Sequence, residues 1–305
     1  MIDRVADWLA TTPPAPFFLY LHPMNVHGPY RVPAEHRGDL LARPPRPGFT
    51  YYDDTMKGIM LRRELQRRRD VSSAYLESLV EQYDTAIRYS TDRLAELLEL
   101  LDRAGLYDDS LIIVTSDHGE ELFEHGGFSH GYSLYDEVLH VPLYVKLPRQ
   151  REPRTVTRPV MLQDLYPTIL DVLGIEAEHR VDGKSLLRDL DGPPRATHGE
   201  QRALLYQTDW GERCKARAIT RGDHKLIAIQ TNYEGLRNAV QLYDVRRDPL
   251  ETDNLADRHP QLARSLWEEL NGALAELQRL SLAEPKNVLE EMDLERLRSL
   301  GYIEP

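Results

Sequence analysis

Asp117 and His118 stand side by side at the end of a short apolar run, Leu111 to Val114. A carboxylate offers a hard oxygen donor and an imidazole a borderline nitrogen donor, a pairing that suits a divalent cation. The run has the β-branched content of a buried strand, so the pair would lie just past a strand's carboxyl end, where open α/β sheets hold their ligands. His125 and His130 follow in a glycine-rich loop, and His140 precedes a second apolar run, Val141 to Leu147. Four of the chain's 11 histidines thus fall within Ser110 to Pro142, which packing alone does not explain.

A second stretch repeats the arrangement. Phe17 to Leu21 is wholly apolar and reads as a buried strand, and it runs into His22, Asn25, His27, Pro29 and Tyr30. Two strands delivering histidine to their carboxyl ends predict a single shared site. Competing chemistries lack their signatures. There is no GxGxxG or Walker-type phosphate loop, and no CxxC or HExxH zinc motif.

The elements that must position these residues follow from periodicity. Ile2, Val5, Ala6 and Leu9 make a one-sided helix, ended by the Pro13 to Pro16 link. Residues 31–71 carry no sustained period and read as an insertion or long loop. Ser72 is the expected N-cap of a long helix whose stripe runs through Leu76, Val80, Tyr83, Ile87, Leu94, Leu98 and Leu101, with Gly105 as its stop. A shorter helix is expected over Thr168 to Leu173, closed by Gly174. Past the Gly192-Pro193-Pro194 break the pattern changes to short strands, Ala203–Gln207, Arg217–Thr220, His224–Gln230 and Ala239–Tyr243, with a turn at Gly222-Asp223. An amphipathic helix, Gln261 to Leu280, would cover them. The predicted fold is α/β, a layered mixed sheet flanked by helices, with a smaller C-terminal antiparallel α+β subdomain. The expected divisions are 1–195, 196–280, and a tail over 281–305 that packs back on the body.

With 305 residues, 41% apolar and 29% charged, the composition is that of a globular chain. A net charge of −12 argues against nucleic acid as the main partner. The one basic cluster, Arg62-Arg63 with Arg67-Arg68-Arg69, reads as a solvated helix face, with the rim of an anionic-substrate site as the alternative. Cys214 is the sole cysteine, so no disulfide framework exists. No apolar run reaches membrane-spanning length, and the N-terminus lacks a signal-peptide pattern.

Several segments together carry a family resemblance. TSDHGEELFEHGGFSHGYSLYDEVLHVPL resembles the second half of a sulfatase, in the alkaline phosphatase superfamily, and FFLYLHPMNVHGPY is similar to that family's FFLYLHxxxxHxPY segment. Tyr83-Asp84 through Ile87 resembles its YDxxI helix. DLYPTILDVLGI with DGKSLL, then RGDHKLI, QLYDVRRDPLETDNLA and LRSLGYI, are similar to its later segments in the same order. The resemblance implies an alkaline-phosphatase-like fold and hydrolysis of sulfate esters with a divalent cation, most often Ca²⁺. It implies that Asp117 and His118 are metal ligands, that His27 hydrogen-bonds the ester, and that His130 steadies the leaving-group oxygen. His22 and His125 are candidate substrate contacts of lower standing, each weighed against simply ordering its loop. Glu120 and Glu121 are read as supporting or exposed groups.

The chain also departs from the family pattern. No C/S-x-P-x-R stretch is present to supply the formylglycine nucleophile, and neither Asp53-Asp54 nor Asp108-Asp109 lies where the family's first metal-binding Asp-Asp pair would. The expectation is therefore a C-terminal portion of a sulfatase, inactive alone, whose partners are the ester and a missing N-terminal half. Two alternatives stay open: a phosphodiesterase or phosphonate monoester hydrolase of the same superfamily, and a non-catalytic binding or regulatory module that keeps the fold. The compartment is left open, with export common among relatives.

Overall fold

The computed structural model describes residues 2–13, 15–30, 32–33, 36, 71–191, 202–209, 214–231 and 239–283. The expected long loop over 31–71, apart from Val32, Pro33, His36 and Val71, lies outside these residues, as do the arginine cluster and the tail beyond Ala283.

Helix α1, Ile2–Ala10, packs against α2, Ser73–Arg103. Ser72 caps α2 as its sequence predicts, its hydroxyl accepting from the Tyr75 N–H at 3.3 Å. Gly105 follows the last turn at a φ of 70°, a conformation a Cβ would oppose. The helix runs unbroken through Ser90-Thr91, where the Thr91 hydroxyl bonds back to the Ile87 carbonyl at 2.9 Å.

Strand β1, Ile112–Thr115, pairs antiparallel with β4, Leu143–Lys146, in the register Ile112 opposite Lys146 and Thr115 opposite Leu143. Everything between them hangs from the carboxyl end of β1. That segment holds the short hairpin of β2, Glu121–Leu122, and β3, Phe128–Ser129, then the one-turn helix α3, Asp136–Leu139. Lys146 Nζ ties the start of the ladder together by donating to the carbonyls of Tyr107, Asp108 and Ser110.

The expected strand at Phe17–Leu21 does not form. Those residues form no strand among the described residues, and Phe18 and Tyr20 are 80% and 68% exposed. Apolar content sets a strand's burial, but backbone pairing makes the strand, and sequence pattern carries no information about an available partner edge.

Helix α4 spans Leu165–Leu173, beginning three residues earlier than its sequence suggests. Pro167 lies in the first turn, where its missing N–H would have had no partner, so it does not delimit the helix. A short helix α5, Leu187–Asp191, follows. Four strands then form one antiparallel sheet in sequential order: β5 Leu204–Asp209, β6 Cys214–Arg221, β7 His224–Thr231 and β8 Ala239–Asp244. Gly222-Asp223 makes the β6–β7 turn, with Gly222 at a φ of 62°.

Alternation along these strands sorts two faces. Cys214, Ala216, Ala218, Ile227 and Ile229 face the segment between β1 and β4, meeting Leu134 and Tyr135. Ile219, Leu226 and Leu242 point the other way and bury against Ala263, Leu266 and Leu270 of α6, Pro260–Ala283. A third core packs Tyr30, Val32, Leu122 and Phe128 on Leu79 and Ala86 of α2. Among the described residues no helix is long and apolar enough to cross a membrane.

Candidate active site

His27, His118 and His130 converge from three segments. One ring nitrogen of each lies within 4.8 Å of one from both others, and all three rings are half-buried. Ring centroids stand 3.8 Å apart for His118 and His130, 5.1 Å for His27 and His130, and 6.1 Å for His27 and His118. Asp117 belongs to the same place, its Oδ1 3.8 Å from His118 Nε2.

Local structure fixes each ring. His27 ends a turn in which its N–H bonds the Met24 carbonyl, and its Nδ1 faces the Gly28 carbonyl at 2.8 Å. His118 Nδ1 faces the Gly119 carbonyl at 2.9 Å. His130 Nδ1 faces the Glu120 carboxylate. Ser129 and Gly131, at φ of 72° and 88°, flank His130 in the left-handed region. For Ser129 that conformation carries strain of the kind found where a side chain must be aimed.

Glu120 is the hub of this arrangement. Buried at 6% exposure, it holds His130 with one oxygen and accepts the Tyr30 hydroxyl at 2.5 Å with the other. Tyr30 in turn rests edge-on against Tyr83 of α2, and burial together with the Glu120 charge pushes the Tyr83 phenol above its usual range. From sequence alone Glu120 stands only among the supporting or exposed groups. Its role depends on a contact between residues 90 apart, which no local pattern records.

The Asp117-His118 turn is braced from behind by α3. The Gly119 N–H donates to the Val138 carbonyl at 2.8 Å, and a Cβ on Gly119 would lie 2.1 Å from the Glu137 carbonyl oxygen. Only glycine permits that approach. Helix α3 is itself held by a buried ionic node. Glu251 and Lys225 are each 1% exposed. Lys225 Nζ forms an ion pair with Glu251 Oε1 at 2.8 Å and donates to Asp136 at 2.6 Å, and Glu251 accepts the Asp136 N–H at 2.7 Å. Burial raises the Glu251 carboxyl above its ordinary range, against the opposing pull of Lys225. Lys225 shares the β7 face of Ile227 and Ile229, so strand alternation aims it at α3.

His125 belongs to this node rather than to the histidine cluster. Its Nδ1 meets Glu137 at 2.6 Å, its Nε2 meets the Glu251 carbonyl at 3.1 Å, and its ring stacks on Tyr135. Burial opposes its charge, yet the Glu137 hydrogen bond and charge, with the Glu251 carbonyl, leave its basicity raised. Glu121 lies alongside, raised by burial and held by Gly127 and Ser133. His22 is exposed beside Tyr20, and His140 is exposed at the end of α3. Neither joins the cluster.

Similarity to known proteins follows the same outline. The Sulfatase family profile matches residues 1–175, and the profile for N-sulphoglucosamine sulphohydrolase, C-terminal, matches residues 123–279. Arylsulfatase K of Bos taurus is 27% identical over 310 residues, 89% of this chain and 54% of that protein. Arylsulfatase K of Mus musculus is 34% identical over 185 residues, 58% of this chain and 32% of that protein. Phosphonate monoester hydrolase of Agrobacterium radiobacter superposes with a TM-score of 0.67 at 22% identity, over 90% of this chain and 60% of that one. A protein solved in complex with its substrate D-glucosamine-2-N,6-O-disulfate gives a TM-score of 0.54 at 21% identity, over 73% of this chain and 47% of that one. The structural likenesses bear on fold, which is of the alkaline phosphatase type. The chain spans a third to a half of the length of these two curated relatives.

Proposed function

Because the chain belongs to the sulfatase family of the alkaline phosphatase superfamily, we propose that it carries the cation-binding and ester-facing portion of a sulfate ester hydrolase. The observation that supports this most is the meeting of His27, His118, His130 and Asp117 at the carboxyl end of β1. Asp117 and His118 are the metal-facing pair, with Ca²⁺ the ion the family resemblance favours. Asp117 offers a carboxylate at the strand end, and water and further oxygen donors would make up the roughly six to eight contacts Ca²⁺ takes. Such an ion, when bound, balances the charge on the ester oxygens. His27 and His130 then orient the ester, His130 on the leaving-group side and His27 on the sulfuryl oxygens. Turnover needs a covalent nucleophile, and the sequence holds no C/S-x-P-x-R stretch. In this reading the nucleophile, and the first Asp-Asp pair of ligands, come from a segment other than this one.

The test is an assay of the purified chain with an aryl sulfate and a phosphodiester, with and without Ca²⁺, beside an Asp117→Ala variant. The expected result is Ca²⁺-dependent binding of the sulfate ester without turnover, lost in Asp117→Ala. Metal-dependent turnover that vanishes in Asp117→Ala would place a nucleophile within this chain and overturn the half-site reading. Preference for the phosphodiester would move the assignment to the phosphonate and phosphodiester branch. Absence of both ester and cation binding would leave a non-catalytic module.

A further inference from the structure

We propose that Thr208, on the C-terminal sheet, is the positioning residue for His130, so that this sheet sets the ester-facing side of the site while α3 sets the cation-facing side. The positioning role rests on the ester-facing reading of His130 given above, and adds to it the group outside the loop that aims the ring.

The loop that carries His130 needs such a group. Residues 130–135 belong to neither helix nor strand, so no regular ladder takes up their carbonyls. Ser129, directly before the histidine, stands at a φ of 72°, and Gly131, directly after it, at 88°. Glycine is the residue with the most conformations to escape to, so the backbone at Gly131 does not by itself fix the direction of His130. Glu120 holds the ring at Nδ1. That contact fixes one atom of the ring and not the chain on which the ring is carried.

Donors from the neighbouring sheet close the gap. Thr208 Oγ1 donates to the Gly131 carbonyl at 2.8 Å, and Cys214 Sγ donates to the Tyr132 carbonyl at 3.2 Å. Strand alternation explains the placement. Thr208 lies opposite Ala216 in the β5–β6 register, and residues directly opposite one another share a face of the sheet. Ala216 and Cys214 are buried on the face that meets Leu134 and Tyr135, so the hydroxyl is presented to the loop by a strand, a more precise support than another loop would be. Of the two donors the hydroxyl is the stronger, since a thiol donates weakly, and it acts on the residue next to His130. The Asp117-His118 turn leans elsewhere, on the Val138 carbonyl of α3 through the Gly119 N–H. The two sides of the site thus have separate supports, and a change at Thr208 should divide them.

Thr208→Val tests the division, because valine keeps the shape and suits a strand while removing the donor. With Ca²⁺ present, affinity for an aryl sulfate should fall about three- to tenfold, the range set by one hydrogen bond. Thr208→Ser restores the hydroxyl and should bring the affinity back. Ca²⁺ affinity measured without ester should be unchanged in both variants. The imidazole ¹H–¹⁵N signals of His130, identified by their loss in His130→Gln, should move in Thr208→Val and return in Thr208→Ser. Gln207→Val, at an exposed position on the same strand opposite Arg217, should alter none of these. Thermal melts confirm that each variant is folded, and Thr208→Ala replaces Thr208→Val if the latter is not. An ester affinity that Thr208→Val leaves unchanged overturns the proposal, as do His130 signals that stay in place or that serine fails to restore. An equal loss of ester and Ca²⁺ affinity also overturns it, because that marks general loosening rather than positioning. A parent chain that binds no aryl sulfate refutes the ester reading instead, and the His130 signals then decide the positioning role alone.

Discussion

Lys225→Met isolates the buried ionic node. Methionine keeps the length and aliphatic stem that packs near Tyr206, whose ring centre lies 5.9 Å from Nζ, and removes only the charge. Glu251 is then left at 1% exposure with no cation. Removing one partner of a buried pair costs about 3–5 kcal/mol, because the other charge stays desolvated. Asp136, 36% exposed at its side chain, keeps access to water, so its lost contact adds little. At about 2–4 °C per kcal/mol, the midpoint should fall by about 6–20 °C. The deficit should depend on pH. Burial already raises the Glu251 carboxyl and Lys225 opposes the rise, so losing Lys225 lifts it further. The folded variant then holds a proton that the unfolded chain releases, and the deficit grows as pH rises above about 4.5. Denaturant melts at pH 5 and pH 8 should therefore show the smaller deficit at pH 5. Lys225→Met with Glu251→Gln should recover most of the loss, since a neutral amide still accepts from the Asp136 N–H. A single variant within about 1 kcal/mol of the parent at pH 8, or a deficit that grows toward acid pH, would refute the reasoning.

Three further outcomes are expected. Gly119→Ala forces a Cβ to 2.1 Å from the Glu137 carbonyl oxygen, and should destabilise by about 1–3 kcal/mol while weakening cation binding at Asp117 and His118; unchanged affinity by titration would count against α3 as the brace. His125, with its folded value raised above 6.5, stabilises fully below about pH 6.5 and loses that contribution as pH climbs through the raised value. Glu137→Gln should flatten this decline in melts taken from pH 6 upward, and an unaltered slope would exclude the pair as its source. Asp164 is fully buried and accepts from Met161 N–H, Lys184 N–H and Arg202, so Asp164→Asn should cost about 3 kcal/mol by loss of charge-assisted bonds, read from the same melts.

Much of the frame is legible because it follows from local rules. The Ser72 cap and Gly105 stop bound the long helix, and the four C-terminal strands come from alternation and the Gly222-Asp223 turn. The site histidines are legible because they cluster in sequence at the ends of apolar runs. The supporting shell is not. Glu120, Glu251 and Lys225 act through partners 90, 115 and 89 residues away, and a charged residue within a strand reads as exposed until its tertiary partner is known. Phe17–Leu21 fails for the opposite reason, since its apolar content implies burial without saying what would cover it. His125 suggests a substrate contact because it shares the loop of His130, yet five residues of chain turn its ring into the ionic node.

The clamp of Glu120 on both Tyr30 and His130 has a practical corollary for finding a ligand. It staples a turn near the start of the chain to a loop 90 residues later, so the pocket exists only while the whole surrounding core is folded. A molecule that engages His27 and His130 therefore binds the native form and not the unfolded chain. By mass action, a compound at about one hundred times its dissociation constant adds about 2.7 kcal/mol to stability. A panel of sulfated and phosphorylated sugars and phenols can thus be ranked by melting temperature alone, with no turnover required and whatever the alcohol proves to be.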